Sequence, residues 1–226
     1  MLYDLAVYGH LTIDRIFSGF EESLSLGAIG NFWEAVIFTD RTVSLDLKPI
    51  ALGEAIVMVN KNKCTRLGRG FLNLQTTKAK LSNSRWHHIM YLNQLEDLDF
   101  VTEIDENSIV SADLTSGVMN NLELLKHLDY LFISDEDLFM DIDELAQLVK
   151  GWVILHYPAG SHCTNGEKSF TTSTETLKNV NVLGAGDMFA ASFIVRYLTE
   201  EQDMKKCVKF AHENTTKLLL RRNGGE

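Results

Sequence analysis

Toward the C-terminus, Asn181-Val182-Leu183-Gly184-Ala185-Gly186-Asp187 runs into Met188-Phe189-Ala190-Ala191. Two glycines flank an alanine, and an aspartate stands at the mouth of an apolar stretch. Residues without bulky side chains let a backbone close on an anion and take turn conformations closed to other residues. If an apolar helix opens here, its first N–H groups point outward and its dipole adds partial positive charge. Such a cradle suits a phosphate or the negative charge that develops in a transition state, and a carboxylate beside it can take a proton from an attacking hydroxyl. A plainer reading is that Asp187 caps the helix, a role aspartate favours. Spacing alone leaves both readings open.

The elements that would position these residues can be read from periodicity. Leu5–Tyr8, Ala55–Val59, His88–Leu92, Ser108–Ala112, Tyr130–Ile133 and Trp152–Leu155 are short apolar runs of buried-strand type. Leu122, Leu125 and Leu128 recur at helical spacing before Tyr130, and Leu145, Leu148 and Val149 do so before Trp152. Strands alternating with helices in this way predict a parallel sheet covered by helices. From Ser161 to Thr172 the pattern changes, and Thr164-Asn165-Gly166-Glu167 predicts a hairpin with a type I′ turn. Met188 to Leu198 predicts a buried helix. Asp203 to Leu220 predicts an amphipathic one, with Cys207, Phe210, Ala211, Asn214 and Leu218 on its inner face.

Composition narrows the function. The 226 residues carry 31 acidic against 21 basic side chains, a net charge of −10, and no basic cluster larger than Arg221-Arg222. Such a surface repels phosphate backbones, so nucleic acid is not expected as a partner. An anionic substrate must be met by a few placed donors or a metal. Cys64, Cys163 and Cys207 are too far apart for a zinc ribbon or disulfide framework, and no local feature would activate a thiol. Met-Leu-Tyr-Asp-Leu carries an acid where a secretory leader carries lysines, and no apolar run reaches membrane length. The cytoplasm is the expected location, with no membrane partner. With only Pro49 and Pro158 and no linker or repeat, a single domain over residues 1–226 is expected.

The wider sequence resembles a known family. Gly184-Ala185-Gly186-Asp187 followed by Met188-Phe189-Ala190-Ala191-Ser192-Phe193 is similar to the signature of the ribokinase/PfkB family of sugar and nucleoside kinases. Tyr8-Gly9-His10-Leu11-Thr12-Ile13-Asp14 resembles that family's first strand. Leu26-Gly27-Ala28-Ile29-Gly30-Asn31-Phe32-Trp33-Glu34-Ala35 resembles its glycine turn and first helix, and Ser111-Ala112-Asp113 a later strand end. The resemblance implies a three-layer α/β/α sandwich with a mostly parallel central sheet. It also implies phosphoryl transfer from ATP with magnesium to a hydroxyl of a small molecule. Asp187 would be the base, and the amides of Ala185, Gly186 and Asp187 in the Gly184 turn would receive the developing charge. Asp14 and Asn31, beside Gly27, would hold the acceptor's other hydroxyls, so that Asp14, Asn31 and Asp187 line one pocket.

Departures from the family pattern gather on the nucleotide side. Where the family has Asn-x-x-Glu near magnesium and phosphate, this chain has Ser134-Asp135-Glu136-Asp137, which leaves Asp137 as the metal candidate beside Ser134. Leu155-His156-Tyr157-Pro158-Ala159-Gly160 keeps only the last glycine of a nucleotide-touching Thr-x-Gly-x-x-Gly, and Asn181-Val182 stands in place of Asp-Thr. His212 falls on the helix that borders the adenine in the family, against the competing reading of a helix-surface histidine. About a dozen residues separate Asp14 from Gly27, and a strand–helix unit is missing between Thr39 and Gly53, so the lid is reduced. A slow kinase, one that borrows a partner subunit's surface in a homodimer, and a relative that binds a sugar or nucleotide without turnover all remain open. Two other features carry less. His87-His88 should face opposite sides of a strand and so cannot share a metal. Arg66 and Arg69, with Gly68 and Gly70, could reach a phosphate but read as a polar hairpin.

Overall fold

The computed structural model describes residues 2–18, 20–60, 63–117, 119–200 and 202–224, with the backbone alone for 60 and 63–71. The side chains of Cys64, Arg66 and Arg69 lie outside the described residues. Two compact units emerge, each assembled from three separated stretches of chain: residues 1–9, 43–48 and 78–173, and residues 10–42, 49–77 and 174–226. Among the described residues no helix is long and apolar enough to cross a membrane.

The first unit is a sheet whose centre is parallel. Strand β1 (Tyr3–Ser18) contributes its first residues, followed in space by β5 (Ser84–Ile89), β6 (Ile109–Asp113), β7 (Tyr130–Ser134) and β8 (Trp152–Tyr157). The register aligns Leu5 with Trp86, Trp86 with Ile109, Ser111 with Tyr130 and Tyr130 with Trp152, all in parallel. Leu5, Ala6, Val7, Leu131, Phe132, Ile133, Val153 and Ile154 are fully buried. Strands apolar on both faces belong in such a sheet. Strands β9 (Gly160–Thr164) and β10 (Ser169–Ser173) then add in antiparallel fashion at one edge.

Three expectations need correction in this unit. The strand expected over His88–Leu92 ends at Ile89, because Tyr91 takes a positive φ of 55° that an extended strand cannot hold. The helix expected before Tyr130 is a 3-10 segment, Leu122–His127. Its leucines recur at intervals of exactly three, and residues three apart eclipse in that tighter coil. The hairpin at Asn165-Gly166 is not type I′. Thr164 pairs with Ser169 across a four-residue connection in which only Gly166 has a positive φ, 81°. The Asn165 side chain accepts from the amides of Glu167 and Lys168 at 3.2 and 2.8 Å, an Asx-type closure that removes the need for a second left-handed residue. By contrast, α2 (Ile142–Leu148) forms where expected, capped by Asp141 through the amides of Asp143 and Glu144.

The second unit holds two long hairpins and three helices. The later part of β1 pairs with β2 (Glu21–Ala28), from Leu11 opposite Ala28 to Ser18 opposite Glu21. Along β1 burial alternates, with Thr12, Asp14 and Ile16 inward and Ile13 and Arg15 outward. Strands β3 (Leu45–Asn60) and β4 (Lys63–Thr76) form the other hairpin. Between α1 (Ile29–Phe38) and β3 the chain makes only a short connection, so the strand–helix unit expected to be missing there is indeed absent. Helix α3 (Ala185–Thr199) is buried from Asp187 to Val195, and α4 (Met204–Arg222) lays Cys207, Val208, Ala211 and Leu218 against its neighbours. Phe210 sits at the margin of that face, half-buried with the guanidinium groups of Arg41 and Arg196 5.0 and 5.4 Å from its ring.

Candidate active site

The turn before α3 is built by local hydrogen bonds. The Asn181 side chain accepts from the Leu183 amide at 3.0 Å, and the Ala185 amide donates to the Val182 carbonyl at 3.1 Å. Gly184 follows with φ 76°, a left-handed conformation that costs a residue with a Cβ about 1–2 kcal/mol. Gly184 is therefore the N-cap residue, which has no side chain to offer, and Asp187 stands in the first turn of the helix. One detail of the cradle also changes. The Ala185 amide is committed to the turn, which leaves Gly186 and Asp187 as the first-turn amides where the helix itself provides no acceptor.

Asp187 is only 3% exposed. Its Oδ2 accepts a hydrogen bond of 2.9 Å from the side-chain amide of Asn31, 156 residues earlier in the chain. Asn31 stands in the first turn of α1, and the two helices approach closely enough that a Cβ on Gly184 would collide with the Asn31 amide. The glycine thus serves two ends, a left-handed turn and room for a neighbour's side chain. The structure brings Asn31, Gly184 and Asp187 together as one buried group.

Asp14 forms a second group. Thr12 Oγ1 donates to Asp14 Oδ1 at 2.7 Å, both residues facing inward on β1. Gly27 lies opposite Thr12 in the hairpin, and a Cβ there would strike both carboxylate oxygens of Asp14 and the Thr12 hydroxyl. The next residue, Ala28, turns the chain into α1 with φ 50°. Gly27, against which Asp14 is seated, is thus joined to Asn31 through three residues of backbone. Above the Gly184 turn, Leu183 packs on a small cluster formed by Ile16, Ala55 and Val57 of the two hairpins.

The residues expected on the nucleotide side have local surroundings. Ser134 Oγ donates to Asp135 and accepts from the Glu136 amide, both at 3.3 Å, and the Asp137 amide donates to the Ser134 carbonyl at 3.1 Å. Tyr157 pairs with Gly160 across Pro158-Ala159, and a Cβ on Gly160 would run into the Thr172 carbonyl. That gives Gly160 a reason internal to the hairpin for lacking a side chain. Ser134, Asp137, Tyr157 and Gly160 lie in the first unit, whereas Asp14, Gly27, Asn31, Gly184, Asp187 and His212 lie in the second.

The helix-surface reading of His212 is wrong. Its ring is 8% exposed and packs on Phe189 of α3 at 4.8 Å, and burial pushes its pKa down to about 4. It is a neutral ring at physiological pH. His87 and His88 are buried with separate partners, Tyr8 and Ser111, as strand alternation required. Ser111 also accepts from Trp86 Nε1 at 2.7 Å, and Asp113 accepts from the Tyr91 amide, so this motif satisfies buried polar groups of β5 and the turn after it. Burial drives the Cys163 thiol up to about 12, which suits an inert cysteine. Among the described residues no three or more His, Cys, Asp or Glu side chains gather as a metal cage.

Comparison with known proteins identifies the architecture. The model of the pfkB family of carbohydrate kinases matches residues 112–223, from the end of β6 through α4. This chain belongs to the ribokinase/PfkB family. Its fold is the ribokinase-like α/β fold with a mostly parallel central sheet. The adenosine kinase of Sinorhizobium meliloti is similar over 96% of this chain and 94% of that one, with a TM-score of 0.75 and 13% identity. The ribokinase of Arabidopsis thaliana complexed with ribose and ATP has a TM-score of 0.68 and 16% identity, over 97% and 93% of the two chains. A pyrophosphate-dependent kinase of the ribokinase family, complexed with a pyrophosphate analog and myo-inositol, has a TM-score of 0.69 and 12% identity over 95% and 94%. No curated protein sequence matches the chain.

Two residues of this site escaped the sequence reading. Arg222, in the last turn of α4, donates from Nη2 to Asn31 Oδ1 at 3.0 Å and from Nη1 to the Leu183 carbonyl at 3.3 Å. Glu34, one turn beyond Asn31 on α1, holds the same guanidinium through Nε and Nη2. The only sequence signal was the pair Arg221-Arg222, which registers as surface charge until tertiary structure supplies partners 188 to 191 residues away.

Proposed function

We propose that this ribokinase/PfkB-family chain, acting as a single domain over residues 1–226, is an ATP-dependent kinase for a sugar, nucleoside or related polyhydroxylated molecule. The observation that carries the reading is Asp187 itself, buried in the first turn of α3 behind the left-handed Gly184 and held by Asn31. The Asp187 carboxylate takes the proton of an acceptor hydroxyl. That oxygen bonds to the terminal phosphorus of the donor as the bridging phosphorus–oxygen bond breaks, and ADP leaves. The amides of Gly186 and Asp187, at the positive end of the α3 dipole, meet the charge that develops on the transferred group. Asp14, fixed by Thr12 and seated over Gly27, receives the acceptor's other hydroxyls and so orients the one that reacts.

Magnesium, when bound with the nucleotide, neutralises phosphate charge. Asp137 fits that need with a carboxylate on a turn closed by its own amide, because the ion commonly takes one or two carboxylates and keeps phosphate oxygens and water for the rest. Ser134, Gly160 and His212 are the remaining nucleotide-side candidates. His212 offers its neutral ring as a wall rather than a charge.

A second reading, a relative that binds a sugar or nucleotide without turnover, is favoured by two features. The Ser134 hydroxyl is already shared between Asp135 and Glu136, and Tyr157 closes a hairpin where family members have glycine. The deciding experiment is a panel of sugars, nucleosides and inositols with ATP and magnesium, scored by ADP release. A parallel arm uses pyrophosphate as donor, because one similar structure is a pyrophosphate-dependent kinase. Turnover with one acceptor class supports the kinase. Calorimetric heat from a small molecule, with no donor binding and no turnover, supports the binder.

A further inference from the structure

We infer that Arg222 is a positioning residue for Asp187, acting through the side-chain amide of Asn31. The inference rests on the reading of Asp187 as the base. A carboxylate can only accept a hydrogen bond and a guanidinium can only donate one, whereas a side-chain amide does both at opposite ends. Asn31 stands between the two kinds of partner, with Asp187 on one side at 2.9 Å and Arg222 on the other at 3.0 Å. Chemistry therefore dictates the orientation of the amide. Its oxygen must face Arg222, and that leaves its NH2 group facing Asp187.

The guanidinium is itself held on two further sides. Glu34 accepts from Nε and Nη2, and the Leu183 carbonyl accepts from Nη1. Arg222 thereby ties three elements together: α4, which carries it; α1, through Asn31 and Glu34; and the turn before α3, through Leu183. The same end of α4 is stitched to that turn once more, since Asn223 accepts from the Asn181 amide at 2.8 Å and donates to the Asn181 carbonyl at 3.2 Å. The relay fixes both the base and the loop that presents it. Only a planar fork with several N–H groups reaches all these acceptors at once, a geometry lysine does not have.

Losing the guanidinium leaves the Asn31 oxygen without its donor, so the amide is held at the Asp187 end alone and is no longer fixed in place. The base it holds can then move off its line to the acceptor hydroxyl. Misplacement of this order typically costs up to about a hundredfold in rate. Because Arg222 touches no substrate in this scheme, the loss should fall on kcat and leave acceptor KM within about twofold.

The test measures both constants for Arg222→Gln, Arg222→Lys and Glu34→Gln, alone and in an Asn31→Leu background. Expected is a fall in kcat of about ten- to a hundredfold for Arg222→Gln, with Arg222→Lys between it and the parent. Glu34→Gln, on a half-exposed side chain, should cost only about two- to threefold and stays informative if the Arg222 variants fold poorly. In the Asn31→Leu background Arg222→Gln should cost nothing further, because the link is already cut. Undiminished kcat in folded Arg222→Gln, full multiplication of the two losses, or a change confined to KM would each overturn the relay. Failure of the kinase reading is separable. If the unaltered chain phosphorylates nothing, solvent exchange of the Asn31 side-chain amide is followed by nuclear magnetic resonance. Protection in the parent that is lost in Arg222→Gln supports the relay, and equal protection in both overturns it.

Discussion

The residues proposed to serve the acceptor and those proposed to serve the nucleotide are held in different ways. Asp187 and Asn31 are bonded across 156 positions and Arg222 and Asn31 across 191, all within buried or half-buried packing of α1, α3 and α4. Ser134 and Asp137, in contrast, stand on a tight turn where their own side-chain and turn bonds span one to three positions, with Asp135 and Glu136 exposed, and Gly160 follows a two-residue turn after Tyr157. A long-range buried network has few alternatives, because each polar group that loses its partner is stranded away from water. A local turn on the surface can change residue types and keep its shape.

The largest effect that would sharpen the contrast is expected at the base. Asp187→Asn keeps the side chain's shape and, through its oxygen, the bond from Asn31, so thermal unfolding should shift little. Turnover should fall by about two to four orders of magnitude, the usual contribution of a general base. Undiminished ADP release in this variant would remove Asp187 from the mechanism.

Gly184→Ala comes next. The added Cβ meets the Asn31 amide and also has to take φ 76°, so destabilisation of about 1–2 kcal/mol should accompany a kcat loss of about tenfold or more. Chemical denaturation and steady-state kinetics measure the two parts. A fully stable and active alanine variant would contradict the close approach of α1 to the Gly184 turn.

His212 supplies a pH test of the buried helix pair. Its folded-state pKa of about 4 lies below the ordinary value near 6.5, so the unfolded chain binds the proton first as pH falls. The stabilisation is complete above about pH 6.5 and is lost progressively toward about pH 4. Between pH 7 and pH 5 this one group should remove on the order of 2 kcal/mol, read as the part of the acid destabilisation that disappears in His212→Gln. An identical pH dependence in the parent and the variant would contradict burial of the neutral ring.

The smallest effect is expected from Tyr157→Gly on the nucleotide side. Opening space there should tighten ATP binding by a few-fold, while the glycine weakens the β8–β9 hairpin by about 0.5–1 kcal/mol. Calorimetric titration in excess magnesium reads the first change and thermal unfolding the second. Weaker ATP binding in the variant would mean that the tyrosine serves the nucleotide instead of crowding it.

Much of this protein is determined locally and can be read from the chain alone. The parallel strands announce themselves as apolar runs, and α3 as a stretch apolar on most sides, because burial of both faces demands such residues wherever they occur. Gly184 to Asp187 stands out because a left-handed residue at a helix start is a local demand that glycine meets at least cost. Where local rules compete, the reading slips. Leucines spaced by three fit a 3-10 turn as well as an α-helix, and Asn165 closes its turn with a side chain instead of a left-handed backbone. Tertiary structure alone decided the rest. Nothing in the letters Arg-Arg near the end of the chain says that the second of them reaches Asn31, that Asn31 turns its amide to Asp187, or that His212 is a buried ring on Phe189. Those facts depend on which surfaces of distant helices meet, and a hydrogen-bonding side chain carries no record of its partner until packing brings the partner within about 3 Å.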